Sequence, residues 1–149
     1  MSLRKTLLAA CCASALLPLT TLYAAEAQQF PSEQGSISAT PIAKGLDHPW
    51  AVAFLPDKQG YLVTERPGHL RVVSPDGKLS APLTGVPEVW AKGQGGLLDV
   101  VLSPDFKQDR LVYLSYAEGG GKGGTAGTAV GRGRLADDLS GLRDFKVIL

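Results

Sequence analysis

Cysteine is confined to one place in this 149-residue chain. Cys11 and Cys12 are the only two, adjacent and inside an apolar leader. Removing that leader removes both, so the exported remainder can form no disulfide. An oxidising compartment permits disulfides but does not require them. Histidine is as scarce, with His48 and His69 alone, and neither has a cysteine neighbour or the spacing of a zinc site. Charge of one sign is lacking too. Once Arg4, Lys5 and Glu26 leave with the leader, 13 basic and 13 acidic residues remain. A balanced surface with no basic stripe excludes nucleic acid and anionic membranes as expected partners. Amphipathic helical periodicity of any length is also missing, which excludes a helical or mixed α/β fold.

The one long apolar run, Thr6 to Ala25, follows Arg4 and Lys5 and ends in Ala25-Glu26-Ala27. This is the order of an export signal, with cleavage expected before Gln28 and a periplasmic destination. A membrane anchor is the rival reading. The run is near the lower length limit for a span, contains Pro18 and ends in small residues, so no stable insertion is expected after processing. Leu8-Ala9-Ala10-Cys11 also resembles a lipoprotein processing site. The apolar stretch before Cys11 is then only Thr6 to Ala10, and cleavage there would leave apolar residues on the mature chain.

What is abundant is glycine. All 18 fall after the leader, about 15% of that part against a usual 7% or so. Residues 28–40 are polar and unpatterned, as a linker would be. Short apolar runs follow, each closed by a turn signal: 50–55 by Pro56-Asp57, 61–64 by Pro67-Gly68, and 70–73 by Ser74-Pro75-Asp76-Gly77. Residues 79–83 are expected as a fourth, weaker edge strand. Runs at 97–102, 111–116, 128–132 and 145–149 repeat the pattern. Pro56-Asp57 and Pro104-Asp105 lie 48 positions apart. Four short strands at that period describe a propeller blade, with a β-sandwich as the competing all-β arrangement. Residues 41–88 and 89–149 are the expected blades. Two blades do not close a ring and Leu149 falls inside an apolar strand, so the chain reads as an N-terminal fragment.

Between the repeats lies Val89-Trp90-Ala91-Lys92-Gly93-Gln94-Gly95-Gly96-Leu97. Its glycines let the backbone run close to a ligand, and the Gln94 amide offers both donors and an acceptor. A loop entering an innermost strand opens on a propeller's axis. A turn whose glycines serve only geometry is the alternative.

Three stretches carry a resemblance: Gly45-Leu46-Asp47-His48-Pro49-Trp50-Ala51-Val52-Ala53-Phe54-Leu55-Pro56-Asp57, Leu62-Val63-Thr64-Glu65-Arg66, and Gly93-Gln94-Gly95-Gly96-Leu97-Leu98-Asp99-Val100 continuing to Phe106. Together they resemble the soluble PQQ-dependent glucose and aldose sugar dehydrogenases, from about Pro41 onward. The resemblance implies a six-bladed propeller with PQQ on its axis, calcium on the cofactor, and oxidation of an aldose at C1 to the lactone with electrons passed to an acceptor. It implies Gln94 as a contact to both PQQ and sugar, with Gly93 and Gly95 shaping its loop. It also implies that the catalytic histidine, the calcium ligands and the basic residues around PQQ fall beyond Leu149. No catalytic or metal-binding residue is therefore expected in this chain, and the chain alone is expected to be inactive. Two other readings remain: a non-catalytic propeller scaffold, and a calcium-dependent lactonase-type propeller, which would need carboxylates at the axis.

The remaining motifs are weaker. Gly119-Gly120-Gly121-Lys122-Gly123-Gly124 lacks a following helix to hold a phosphate and reads as a loop. Asp137-Asp138 has no calcium-loop spacing and reads as a turn. His48 and His69 read as turn or surface residues, Glu65-Arg66 as a solvated hairpin end with an ion pair or blade contact as the alternative, and Trp50 and Trp90 as packing between blades rather than substrate stackers.

Overall fold

The computed structural model describes residues 27–121 and 124–149; the leader and its cleavage and lipidation motifs lie almost wholly outside this part. Among the described residues the fold is all-β, in three separate sheets.

The first sheet is a surprise of the linker. β1 (Gln28–Ser32) and β2 (Gly35–Ala39) pair antiparallel around a two-residue turn, and all ten residues are exposed. The Ser32 hydroxyl donates to the Gly35 carbonyl at 2.6 Å. Gly35 takes a φ of 121° that other residues rarely adopt. Phe30 sits opposite Ile37, a cross-strand apolar pair hidden within a polar composition.

The second sheet, β3 (Pro49–Phe54), β4 (Tyr61–Glu65) and β5 (His69–Val73), is an antiparallel meander. The expected fourth strand does not form. Its chain runs beside β5 without a continuous ladder, joined by a bridge from Leu79 to Val73, by bonds from Ser80 N to Val72 O and from Leu83 N to Leu70 O, and by Val72 N donating to the Ser80 hydroxyl at 2.9 Å. Pro82 has no N–H to continue a ladder, and the Arg71 guanidinium takes the Ser80 carbonyl at 2.8 Å.

The third sheet orders β6 (Leu97–Leu102), β7 (Leu111–Gly119), β8 (Ala126–Leu135) and β9 (Leu142–Val147) as a four-stranded meander. The 48-residue repeat is structural. β3 and β6 start 48 residues apart, and each is followed by a short helical turn, Pro56–Lys58 in one sheet and α1 (Phe106–Asp109) in the other. Asp57 and Lys107, one from each turn, pair at 2.7 Å.

The core lies between these two sheets. Ala53, Leu62, Leu70 and Val72 pack in one cluster with Leu97, Val100, Val112, Leu114 and Tyr116. The same alternation puts Val52, Phe54, Tyr61, Val63 and Val73 on the opposite face of the second sheet. That face is only partly covered, by Ile42, Ala43 and Leu46, and leaves Val52 and Phe54 exposed. Sheets apolar on both faces are what stacked blades require.

Candidate functional site

The site is built on the segment that carries the chain from the second sheet into β6. Lys92, Gly93, Gln94 and Gly95 form a turn closed by a bond from Gly95 N to Lys92 O at 2.9 Å. Gly93 has a φ of 57° and open space where a Cβ would stand, so its role is conformational. Gly95 has the opposite reason: a Cβ there would lie 2.4 Å from the Trp90 carbonyl. Trp90 N in turn donates to Ala117 O at 2.7 Å, tying the loop to the end of β7.

The turn raises Gln94 into solvent at the rim of a cleft of about 390 Å³. Trp90, Lys92, Gly95, Leu98 and Thr128 also line it, so the loop, the start of β6 and the start of β8 all contribute. The Lys92 ammonium sits 4.4 Å from the centre of the half-buried Trp90 ring, in cation–π range. Gln94, Gly93 and Gly95 are thus on one turn, with Gln94 and Gly95 at the cleft. Sequence reasoning missed Lys92 as a wall residue and Thr128 altogether. Thr128 was hidden because it reaches the cleft only through the β7–β8 register, in which it faces Ala117.

On the other side of Trp90 is a second cleft of about 400 Å³, with Glu88 and Glu118 among its walls. Among the described residues, no three His, Cys, Asp or Glu side chains gather as metal ligands would.

The Glu65-Arg66 pair is not a solvated hairpin end. Glu65 is fully buried because its carboxylate has three partners: Asp47 N at 2.7 Å, His69 Nδ1 at 3.1 Å and Arg71 Nη1 at 3.3 Å. A carboxylate so satisfied loses little by leaving water. The charge pattern was visible, but not the backbone N–H brought in by the 42–48 segment. Arg66 bridges the two sheets instead, donating from Nη1 to Gly93 O at 3.0 Å and to Gly95 O at 3.4 Å.

Neither histidine lines the cleft. His48 is exposed in a left-handed turn, with Nδ1 2.5 Å from Asp47 Oδ1. His69 opens β5 against Glu65. Asp138 lies in a turn, where the Ser140 hydroxyl and N–H hold its carboxyl below the usual carboxylate range. Trp50 is about half exposed and has no place in the cleft.

Two successive blade-like meanders, packed face to face through a shared core, define part of a β-propeller. The family model described as Glucose / Sorbosone dehydrogenase matches residues 46–149, and the chain belongs to that family. It is 63% identical over 103 residues to the aldose sugar dehydrogenase YliI of Escherichia coli, covering 69% of this chain and 28% of that protein. It is 34% identical over 76 residues to quinoprotein glucose dehydrogenase B of Acinetobacter calcoaceticus, covering 50% of this chain and 16% of that one. Among solved structures, the apo soluble aldose sugar dehydrogenase of Escherichia coli superposes with a TM-score of 0.68 at 62% identity, covering 70% of this chain and 30% of that one. The PQQ-bound aldose sugar dehydrogenase of Streptomyces coelicolor gives 0.55 at 26% identity, covering 72% and 31%. The chain therefore spans less than a third of the length of these relatives. The expected fold, the first blades of such a propeller, stands.

Proposed function

We propose that this chain supplies part of the active-site wall of a PQQ-dependent aldose sugar dehydrogenase, with Gln94 contacting cofactor and sugar. The observation that carries the reading is the cleft. Gln94 stands on a glycine turn beside a cation, an aromatic face and a hydroxyl, in a chain 63% identical to an aldose sugar dehydrogenase.

The residues present fit such a cofactor. PQQ is a planar, tricarboxylated quinone, and Trp90, Lys92 and the Gln94 amide offer it a flat apolar surface, a positive charge and neutral donors. The cleft's volume lies within the range of small-molecule sites, roughly 300–1,000 Å³. When bound, PQQ supplies the two-electron acceptor for oxidation at C1 of the sugar. Lys92 would balance carboxylate charge, and Gln94 and Thr128 would orient polar oxygens by hydrogen bonds. Gly93 supplies the left-handed turn and Gly95 the close packing on the Trp90 carbonyl that together present Gln94.

No described residue is positioned as a general base at this cleft, since both histidines lie elsewhere, so no proton transfer is assigned to this chain. The described residues do not fit calcium either, and no step is assigned through it. We place the base and the calcium ligands in further blades, and hold that the 149-residue chain alone does not turn over. The absence of carboxylates from the walls of the Gln94 cleft disfavours a lactonase-type calcium site there. The leader fits export to the periplasm, where an electron acceptor would reoxidise the cofactor.

Titration of the chain with PQQ, followed by quenching of tryptophan fluorescence, tests the contact. Binding that weakens about ten-fold in Gln94→Ala supports it. Equal binding by both proteins removes Gln94 from the site.

A further inference from the structure

We propose that Arg66 is a positioning residue which holds the Gln94 turn in its ligand-ready shape and leaves an unneutralised positive charge beside it. The role assigned to the turn rests on the reading of Gln94 given above; the contact itself does not.

The turn has little to stabilise it from within. Three of the four residues from Gly93 to Gly96 are glycine, and only one backbone bond, from Gly95 N to Lys92 O, closes the turn. Glycine loses more freedom on ordering than any other residue, so such a turn needs outside support. Arg66 gives it from a different blade, 27 and 29 residues away in sequence. Its Nη1 donates to Gly93 O and Gly95 O, the carbonyls on either side of Gln94.

The backbone of Arg66 completes the grip. Its carbonyl accepts from Leu97 N at 3.0 Å, and its N–H donates to His48 O at 3.0 Å. Gly96 makes room for the contact. A Cβ at Gly96 would stand 2.3 Å from the Arg66 carbonyl and 2.6 Å from its Cγ. The arginine is therefore fixed by main-chain bonds at its root and ends on the loop it orders.

Its charge has a second consequence. The side-chain bonds go to carbonyl oxygens, and Arg66 makes no ion pair with any Asp or Glu among the described residues. Lys92 lines the cleft and Arg66 holds the carbonyls of the same turn from behind, so two positive charges flank Gln94, which suits a polyanionic ligand. Lysine is a poor substitute for Arg66, because a single ammonium cannot reproduce the fixed donor geometry of the guanidinium.

The test uses the 149-residue chain as wild type, Arg66→Ala, Arg66→Lys and Gln94→Ala. Two quantities are read: amide chemical shifts and hydrogen exchange at residues 93–95, and PQQ affinity by fluorescence. In Arg66→Ala the 93–95 amides should move toward random-coil shifts while β7–β8 amides stay in place. PQQ affinity should fall about ten-fold. Added millimolar guanidinium should restore the turn, which it would not do for a general loss of stability. If Arg66→Ala fails to fold, Arg66→Lys decides, with partial loss at the same amides. Unchanged 93–95 amides in a folded variant overturn the proposal. A loosened turn together with PQQ binding indifferent to Gln94→Ala leaves Arg66 as the clamp but refutes the cofactor reading.

Discussion

The Thr64 hydroxyl donates to the Leu98 carbonyl at 2.6 Å and accepts from Ala51 N at 3.1 Å, so one fully buried side chain joins β3, β4 and β6. Both neighbouring ladders break register there, between Pro49 and Ala51 and between Leu97 and Val100. The bulges free the two backbone groups that Thr64 satisfies. Thr64→Val keeps the shape but strands both. Urea denaturation should show a loss of roughly 2 kcal/mol with an unchanged m-value. A change below about 0.5 kcal/mol would mean that water replaces the hydroxyl.

Tyr116 presents the reverse case. It is 1% exposed, packs against Phe145 with ring centres 6.3 Å apart, and its hydroxyl has no partner among the described residues. Burial accordingly pushes its phenol above the usual tyrosine range. Tyr116→Phe removes an unsatisfied polar atom while keeping the ring. Its stability should be equal to wild type or higher by up to about 1 kcal/mol. Destabilisation beyond that would reveal a partner for the hydroxyl.

The glycines of the Gln94 loop separate by mechanism. At Gly93 space is open but φ is 57°, so Gly93→Ala should cost only about 1 kcal/mol. At Gly96 φ is 145° and Arg66 fills the space, so Gly96→Ala should cost roughly 3 kcal/mol. Thermal denaturation of the two variants checks the order, and equal costs would contradict the packing of Arg66 on Gly96.

Acid should weaken the fold through hydrogen-bonded carboxylates, the half-buried Asp109 and the exposed Asp76. Asp109 is held below its usual pKa by the Leu111 N–H and the Ser103 hydroxyl, and Asp76 by the Ser74 hydroxyl. A lowered folded-state pKa contributes stability that is complete above the unfolded value near 4 and is lost as pH falls through the lower, folded value. Stability is therefore expected to be level in this respect at neutral pH and to decline below about pH 4. Asp109→Asn should flatten that decline, and an unchanged acid limb would remove Asp109 from it.

Much of the fold was legible because apolar runs and Pro-Asp turn signals repeat together. Seven of the expected strands, β3 to β9, form near their predicted places. The two local differences share a cause, since both depend on hydrogen bonds that composition does not display. Phe30 and Ile37 find each other only once Gly35 turns the chain. The 79–83 segment fails as a strand because Pro82 and Arg71 remove its donors and acceptors. The glycine turn of the site announced itself, and Arg66 stood as a possible blade contact without a named partner, whereas Lys92 and Thr128 did not stand out. Their relation to Gln94 is set by sheet stacking and strand register, which join residues far apart in sequence.

The central claim is that these blades hold a cofactor contact but not a complete catalytic centre. Reconstituting the purified chain with PQQ and Ca²⁺, then assaying aldose oxidation with an artificial electron acceptor, tests it most directly. The account predicts PQQ binding dependent on Gln94 and no sugar-dependent reduction of the acceptor. Turnover by this chain alone would contradict it, because a base and a full site would then have to exist within these 149 residues.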